Sequence, residues 1–204
     1  MDNRQLKIFT LGSIQTNCYL IFNLSTKKAI LIDAPEDIEE VVDFINENSL
    51  YLEGVFLTHG HIDHIKGLDN LNVPFYIHRE DKDFLFNPQL NLSYFLGYKF
   101  NLNQEPYLLD EGDYKIESFS IHILHTPGHT PGSISILIEN WLFSGDTLFF
   151  DSIGRTDIPY ASYEQIVNSI KNKLVKLDSK TLVFPGHGSS TTIERESKCN
   201  PFLK

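Results

Sequence analysis

The stretch THGHIDHIKG at residues 58–67 places three of the chain's eight histidines and one aspartate within six positions. His59 and His61 stand at i and i+2, directly after the apolar run Gly54-Val55-Phe56-Leu57. In extended backbone, residues two apart point to the same side, so this pair can grip one ion where a strand overruns into a loop. Asp63 and His64 lie past the turn and must face a second point. The spacing therefore predicts two adjacent cation sites, with half of the ligands supplied by one loop. Imidazole and carboxylate are ligands for zinc and for other first-row cations. An ion held this way activates water and polarises a carbonyl.

Two ions need more ligands than this loop carries, since catalytic zinc takes about three protein groups plus water. Three further candidates share one context. His129 lies in TPGHTPGS, Asp146 in FSGDTLF and His187 in FPGHGSS. Each follows an apolar strand-like run and sits among glycines, where backbone packs closely and loops bend sharply. The remaining histidines, His78, His122 and His125, are read as ordinary surface or core residues. His122 and His125 have opposite parity on one expected strand and should face different ways.

These groups must be positioned by a mixture of strands and helices. Runs rich in β-branched and aromatic residues predict strands over 5–10, 18–23, 28–32, 54–57 and 75–77, strand structure over 114–124, and a last strand over 181–184. Residues 133–138 and 141–143 read as a hairpin turning at Glu139-Asn140. Apolar spacings of three and four predict helices over 36–48, with Pro35 suited to the first turn, and over 163–177. The aromatic segment 84–100, within a longer stretch of short helical pieces and loops, is read as a local core patch rather than a cap over a pocket. Arg155 is expected to form a buried ion pair with Asp157 or another carboxylate, rather than to meet a substrate carboxylate. Strands then a helix then a histidine-bearing loop, twice over, predicts sheets packed on each other with helices outside.

The composition sets limits. With 41% apolar and 22% charged residues among 204, one domain spanning residues 1–204 with a full core is expected. A net charge of −10 disfavours a nucleic-acid binder or a protein docked on anionic lipid. No apolar run approaches the ~20 residues of a membrane helix. No secretory signal is recognisable, and the two cysteines, Cys18 and Cys199, read as free thiols. A cytoplasmic location is expected, and the choice between monomer and homodimer stays open.

Taken together, these segments resemble the metallo-β-lactamase fold superfamily. THGHIDHIKG matches its signature THxHxDHxxG, and PGHTPGS, GDTLF and PGHG resemble its later metal-binding segments in the same order. The resemblance runs from about Gly12 to the closing Asn200-Pro201-Phe202-Leu203. The segment Ser152-Ile153-Gly154-Arg155-Thr156-Asp157 and the NPFL ending resemble the short bacterial glyoxalase II-like hydrolases. The resemblance implies an α+β, four-layer αββα sandwich with two mixed sheets face to face and the metals at one edge. It implies two Zn2+ ions, with iron or manganese as alternatives at one or both sites. His59, His61, His129 and Asp146 would hold one ion, and Asp63, His64, Asp146 and His187 the other, with Asp146 as the bridge. It also implies hydrolysis of a small-molecule thioester of the S-lactoylglutathione or hydroxyacyl-thiol type by a bridging hydroxide, whose proton Asp63 is the candidate to steer. The sequence runs seventeen residues past His187, without the C-terminal helical region that helps bind glutathione in glyoxalase II proper, which points away from glutathione as the thiol. The alternatives are a persulfide dioxygenase with one iron on His59, His129 and Asp146, a β-lactamase, and a non-catalytic metal-stabilised scaffold.

Overall fold

The computed structural model describes residues 4–204. Strands β1 (Arg4–Leu11), β2 (Thr16–Asn23), β3 (Lys28–Ile32), β4 (Tyr51–Phe56), β5 (Phe75–His78) and β6 (Tyr107–Leu109) form the first sheet in sequential order, with helix α1 (Glu39–Glu47) between β3 and β4 and the one-turn helix α2 (Ile62–Ile65) after β4. The second sheet runs β14-β13-β10-β9-β8-β7. Its strands are β7 (Gly112–Ile116), β8 (Phe119–His125), β9 (Ile134–Ile138), β10 (Trp141–Gly145), β13 (Leu182–Pro185) and β14 (Thr191–Thr192). A small ribbon, β11 (Leu148–Phe149) with β12 (Ser152–Ile153), follows β10. Helices α3 (Tyr163–Asn172) and α4 (Ile193–Cys199) complete the chain.

Alternation along the strands decides the layers, because successive side chains point to opposite faces. Tyr19, Ile21, Ile30, Ile32 and Phe56 of the first sheet pack against Phe119, Ile121, Ile136 and Phe143 of the second. Their sequence neighbours Leu20, Phe22, Leu31 and Val55 face the other way and bury Ile38, Val41 and Ile45 of the α1 region. On the far side, Leu142 and Val183 receive Ile166, Ile170 and Leu174 from α3 and the turn beyond it. The result is the expected αββα sandwich, and both sheets are mixed.

Several boundaries differ from the expectation for local reasons. Helix α1 starts three residues late because Asp37 adopts a left-handed φ of 63°, so Pro35 lies outside its first turn. The long helix over 163–177 ends at Asn172, where Lys173, at φ −118° and ψ −60°, distorts the last turn and a 3-10 turn, Leu174–Lys176, follows. The strand structure over 114–124 is a hairpin, broken where Glu117 takes a φ of 50°. β6, β14 and α4 were too short or too polar to stand out in the sequence.

Parallel pairing is what gathers the site. β3 runs parallel to β4 in one sheet, and β10 parallel to β13 in the other. Parallel strands bring their C-terminal ends to one edge, where loops can carry chemistry. There the two sheets are joined directly, Ile134 N donating to Thr58 O at 2.8 Å and Asn17 N to Gly186 O at 2.7 Å. Among the described residues no helix is long and apolar enough to cross a membrane, and both cysteines are free.

Candidate metal centre

β4 ends at Phe56, and Leu57 to His61 continue as an extended loop before α2. His59 and His61 lie on that loop, and Asp63 and His64 on the single turn of α2. His129 follows β8, Asp146 follows β10, and His187 follows β13. The structure thus brings all seven side chains singled out in the sequence to one place. The sets His59–His61–His129, His59–His64–Asp146 and Asp63–His64–His187 each present three ligand atoms within 4.8 Å of one another.

The separations have a particular size. Asp146 Oδ1 is 3.4 Å from His64 Nε2, while its Oδ2 is 3.5 Å from His129 Nε2 and 3.6 Å from His187 Nε2. Asp63 Oδ2 stands 3.2 Å from His187 Nε2 and 3.5 Å from His64 Nε2. Neighbouring ligands on a tetrahedral ion with bonds of ~2.1 Å lie about 3.4 Å apart. The buried atoms His59 Nε2, His61 Nε2, His64 Nε2 and Asp146 Oδ1 have no hydrogen-bond partner. Buried polar atoms are rarely left so. A cation satisfies them, so these residues fit a metal centre. Asp146 presents Oδ1 to His64 and Oδ2 to both His129 and His187, so its carboxylate lies between the two groups of ligands.

Second contacts fix the ring orientations, as ligating histidines require. His64 Nδ1 donates to Asp33 Oδ2 at 2.7 Å, which leaves Nε2 facing the cluster. Thr58 Oγ1 donates to the same Asp33 oxygen at 2.8 Å. Its lone pair can then take the Nδ1–H of His59, 3.2 Å away. His129 Nδ1 donates to Arg155 O at 3.0 Å. Gly186 packs against the cluster so closely that a Cβ there would overlap Asp146 Oδ1 and stand 2.7 Å from His64 Cε1.

Residues 11–187 match the description of the metallo-beta-lactamase superfamily. The chain belongs to that superfamily. It is 37% identical to hydroxyacylglutathione hydrolase GloC of Haemophilus influenzae, over 97% of each protein. Among solved structures it resembles the BLEG-1 B3 metallo-beta-lactamase, with a TM-score of 0.93 and 38% identity over 98% of this chain and 100% of that one. It also resembles TTHA1623 in a di-iron-bound form, with a TM-score of 0.83 and 32% identity over 97% and 100% of the two chains.

In this superfamily member His61, Asp63, His129, Asp146 and His187 line a cavity of about 660 Å³, with His59 and His64 buried outside its lining. Phe95 and Leu96, 65% and 53% exposed, stand on its wall, while Phe84, Leu85 and Phe100 are buried. The core-patch reading of 84–100 therefore holds only for its ends, because the 3-10 turn Ser93–Leu96 lifts the middle outward. Arg155 does pair with Asp157, Nε to Oδ1 at 2.9 Å and Nη2 to Oδ2 at 3.0 Å, but the pair is exposed on the cavity rim, not buried. His122 pairs with Asp113, and His125 stacks on His78 with ring centroids 4.0 Å apart, so neither reaches the cluster.

Two functional residues escaped the sequence reading. Asp33 ends an apolar strand just as Asp146 does, and the same cue identifies it. Asp81 accepts from Gly60 N (2.9 Å), Thr130 Oγ1 (2.7 Å) and Gly132 N (2.7 Å), tying the histidine loop to the loop of His129. It sits in the charged run REDKD, which looks like any solvated surface.

Proposed function

We propose that this chain is a binuclear metallohydrolase that cleaves a small-molecule thioester of the hydroxyacyl-thiol type. The observation that carries the reading is the set of unpartnered buried ligand atoms of His59, His61, His64 and Asp146, two of whose residues, His61 and Asp146, open onto a cavity whose described lining holds no serine, threonine or cysteine. With no hydroxyl or thiol nucleophile in that lining, and its histidines and Asp63 and Asp146 engaged in the ligand set, water is the reagent to be activated. His59, His61 and His129 with Asp146 would hold one ion, and Asp63, His64 and His187 with Asp146 the other. The imidazole-rich set with hard carboxylates suits zinc, and iron is the alternative. Such ions supply a hydroxide at neutral pH and polarise a carbonyl. The protein's part is to fix the ligands, through Asp33 and Thr58, and to line the cavity above with apolar walls. Asp63 also accepts from Thr16 Oγ1 at 3.1 Å, which aligns its carboxylate between His64 and His187, where it would take or hold the proton of an activated water. The likeness to GloC supports the thioester as substrate.

The likeness to BLEG-1 favours a second reading, in which the carbonyl attacked is that of a β-lactam. A thioester panel including S-lactoylglutathione, run beside nitrocefin on metal-quantified protein, separates the two. Expected are two metal ions per chain, thioester turnover well above nitrocefin turnover, and loss of both in Asp146→Ala. S-lactoylglutathione turnover that survives Asp146→Ala would refute the mechanism, and nitrocefin as the better substrate would bring the second reading forward.

A further inference from the structure

Above the ligand residues the cavity walls are mainly apolar, broken by the Arg155–Asp157 pair. Ile14, Leu92, Phe95, Leu96, Phe149 and Ile158 line it, and among them Ile14, Phe95 and Leu96 are 47%, 65% and 53% exposed. Large apolar side chains left in water around one mouth mark a binding surface more often than chance. These are not carried on a loose loop. Asn91, fully buried, donates from Nδ2 to Phe84 O at 2.9 Å and to Phe100 O at 3.1 Å, and accepts from Ser93 N at 3.0 Å. Ser93 Oγ accepts from Phe100 N at 3.0 Å. Ile62 N of α2 donates to Asn91 O at 2.9 Å, so the platform is bonded directly to the helix that carries Asp63 and His64. Left-handed backbone at Leu92 (φ 70°) and Gly97 (φ 87°) turns the platform so that Phe95 and Leu96 face the mouth. A wall anchored this firmly holds its apolar groups at a set height over the metal centre.

The charges at the mouth are already matched. Arg155 is held by Asp157 in a two-pronged pair. An adjoining cavity of about 270 Å³ shares the walls Ile14, Ile62, Asp63 and Leu96. Its lysine, Lys66, is paired with Glu36 and lies over the Tyr98 ring at 4.9 Å from the centroid. Among the described residues lining the two cavities, Arg155 and Lys66 are the lysine and arginine cations, and each faces a carboxylate. A substrate with several carboxylates must displace a protein carboxylate from Arg155 or Lys66 to gain a positive partner here beyond the metal ligands.

We infer that the group attached to the scissile carbonyl, on the acyl or the thiol side, is an uncharged apolar one seated against Phe95, Leu96 and Ile158. This rests on the thioester reading and deepens it: a lipophilic or aromatic thioester fits the vestibule better than a peptide thiol bearing carboxylates.

Two arms of one kinetic series test it on metal-loaded protein. One arm keeps a lactoyl group and varies the thiol among glutathione, 3-mercaptopropionate and benzyl mercaptan. The other keeps a small uncharged thiol and lengthens the acyl chain from acetyl to octanoyl. If the acyl side occupies the vestibule, kcat/KM on the second arm should rise about fourfold per added methylene until the space is filled. If the thiol side occupies it, the benzyl thioester should exceed the glutathione thioester by about tenfold or more on the first arm. Phe95→Ser and Leu96→Ser, both at exposed positions and checked for fold by circular dichroism, should flatten that rise. Flat profiles in the wild type, or a glutathione thioester as the best substrate, would overturn the inference. If no thioester is turned over, the thioester reading fails, and the vestibule is judged by fluorescence of the uncharged probe N-phenyl-1-naphthylamine. Binding weakened about fivefold by Phe95→Ser supports the inference, and equal binding by both proteins overturns it.

Discussion

Asp33 accepts from three donors, and two of them lead into the cluster: His64 directly, and His59 through the Thr58 hydroxyl. It is buried at the end of β3 with a φ of 60°, a backbone region that aspartate tolerates better than most residues. Asp33→Ala frees both imidazoles to rotate and change tautomer while leaving all seven ligands in place. Metal affinity should fall by about 10–100-fold, as is usual when such a supporting partner is lost. Competition against a chromophoric chelator measures this, and an unchanged affinity would remove Asp33 from the account. The sequence made the seven cluster residues legible because each sits in a short, glycine-rich segment where type and spacing are unusual. Asp33 and Asp81 act across 21 to 51 positions of chain, and no local spacing announces a partner so distant.

At the scale of elements, the strands were readable where alternation and β-branching coincide, as in β2 and β3, and the hairpin at Glu139-Asn140 falls where it was expected. What failed was the ends. Helix α1 and the β7–β8 hairpin are bounded by single residues, Asp37 and Glu117, whose left-handed backbone is not written in their side-chain type. The aromatic middle of 84–100 misled for another reason: Phe95 and Leu96 look like core by composition, and only the Asn91 platform places them outside. Asp81 shows how elements are held relative to one another. It stitches the loop after β4 to the loop after β8, so it sets the distance between His61 and His129, whose Nδ1 and Nε2 are 2.9 Å apart. Asp81→Ala strands the buried amides of Gly60 and Gly132 without an acceptor and leaves the Thr130 hydroxyl only Ser133 Oγ, 2.8 Å away. The expected cost is about 3 kcal/mol of stability by urea unfolding, given ~1–3 kcal/mol per orphaned group and partial relaxation. Weaker metal binding should accompany it. A loss of stability with metal affinity intact would show that the stitch serves the fold alone.

For the whole molecule, the cluster couples folding to protons and to metal. In the metal-free chain burial alone would lower His64, but Asp33, Asp63 and Asp146 outweigh it and hold its pKa well above the ordinary value. His187 is likewise raised against burial, by its contact with Asp63 and the charge of Asp146. Burial, reinforced by neighbouring imidazoles, pushes His59 far down and His61 to about 3, and burial also lowers His129. The signs then oppose each other. The raised pair stabilises fully below the unfolded histidine value of about 6.5 and loses that contribution as pH rises through the folded values. The lowered trio takes up protons in the unfolded chain but not in the folded one below about 6.5, so its contribution is lost as pH falls toward 3. Metal-free protein should therefore be most stable near pH 6.5 and decline on both sides. Bound cations replace the protons on His64 and His187, so the alkaline decline should vanish when metal is restored. Thermal unfolding from about pH 5 to 9, with chelator and with added zinc, reads both limbs. An alkaline limb of equal slope in the two series would mean that His64 and His187 do not exchange protons for metal, and the assignment of the second ion to Asp63, His64 and His187 would fall with it.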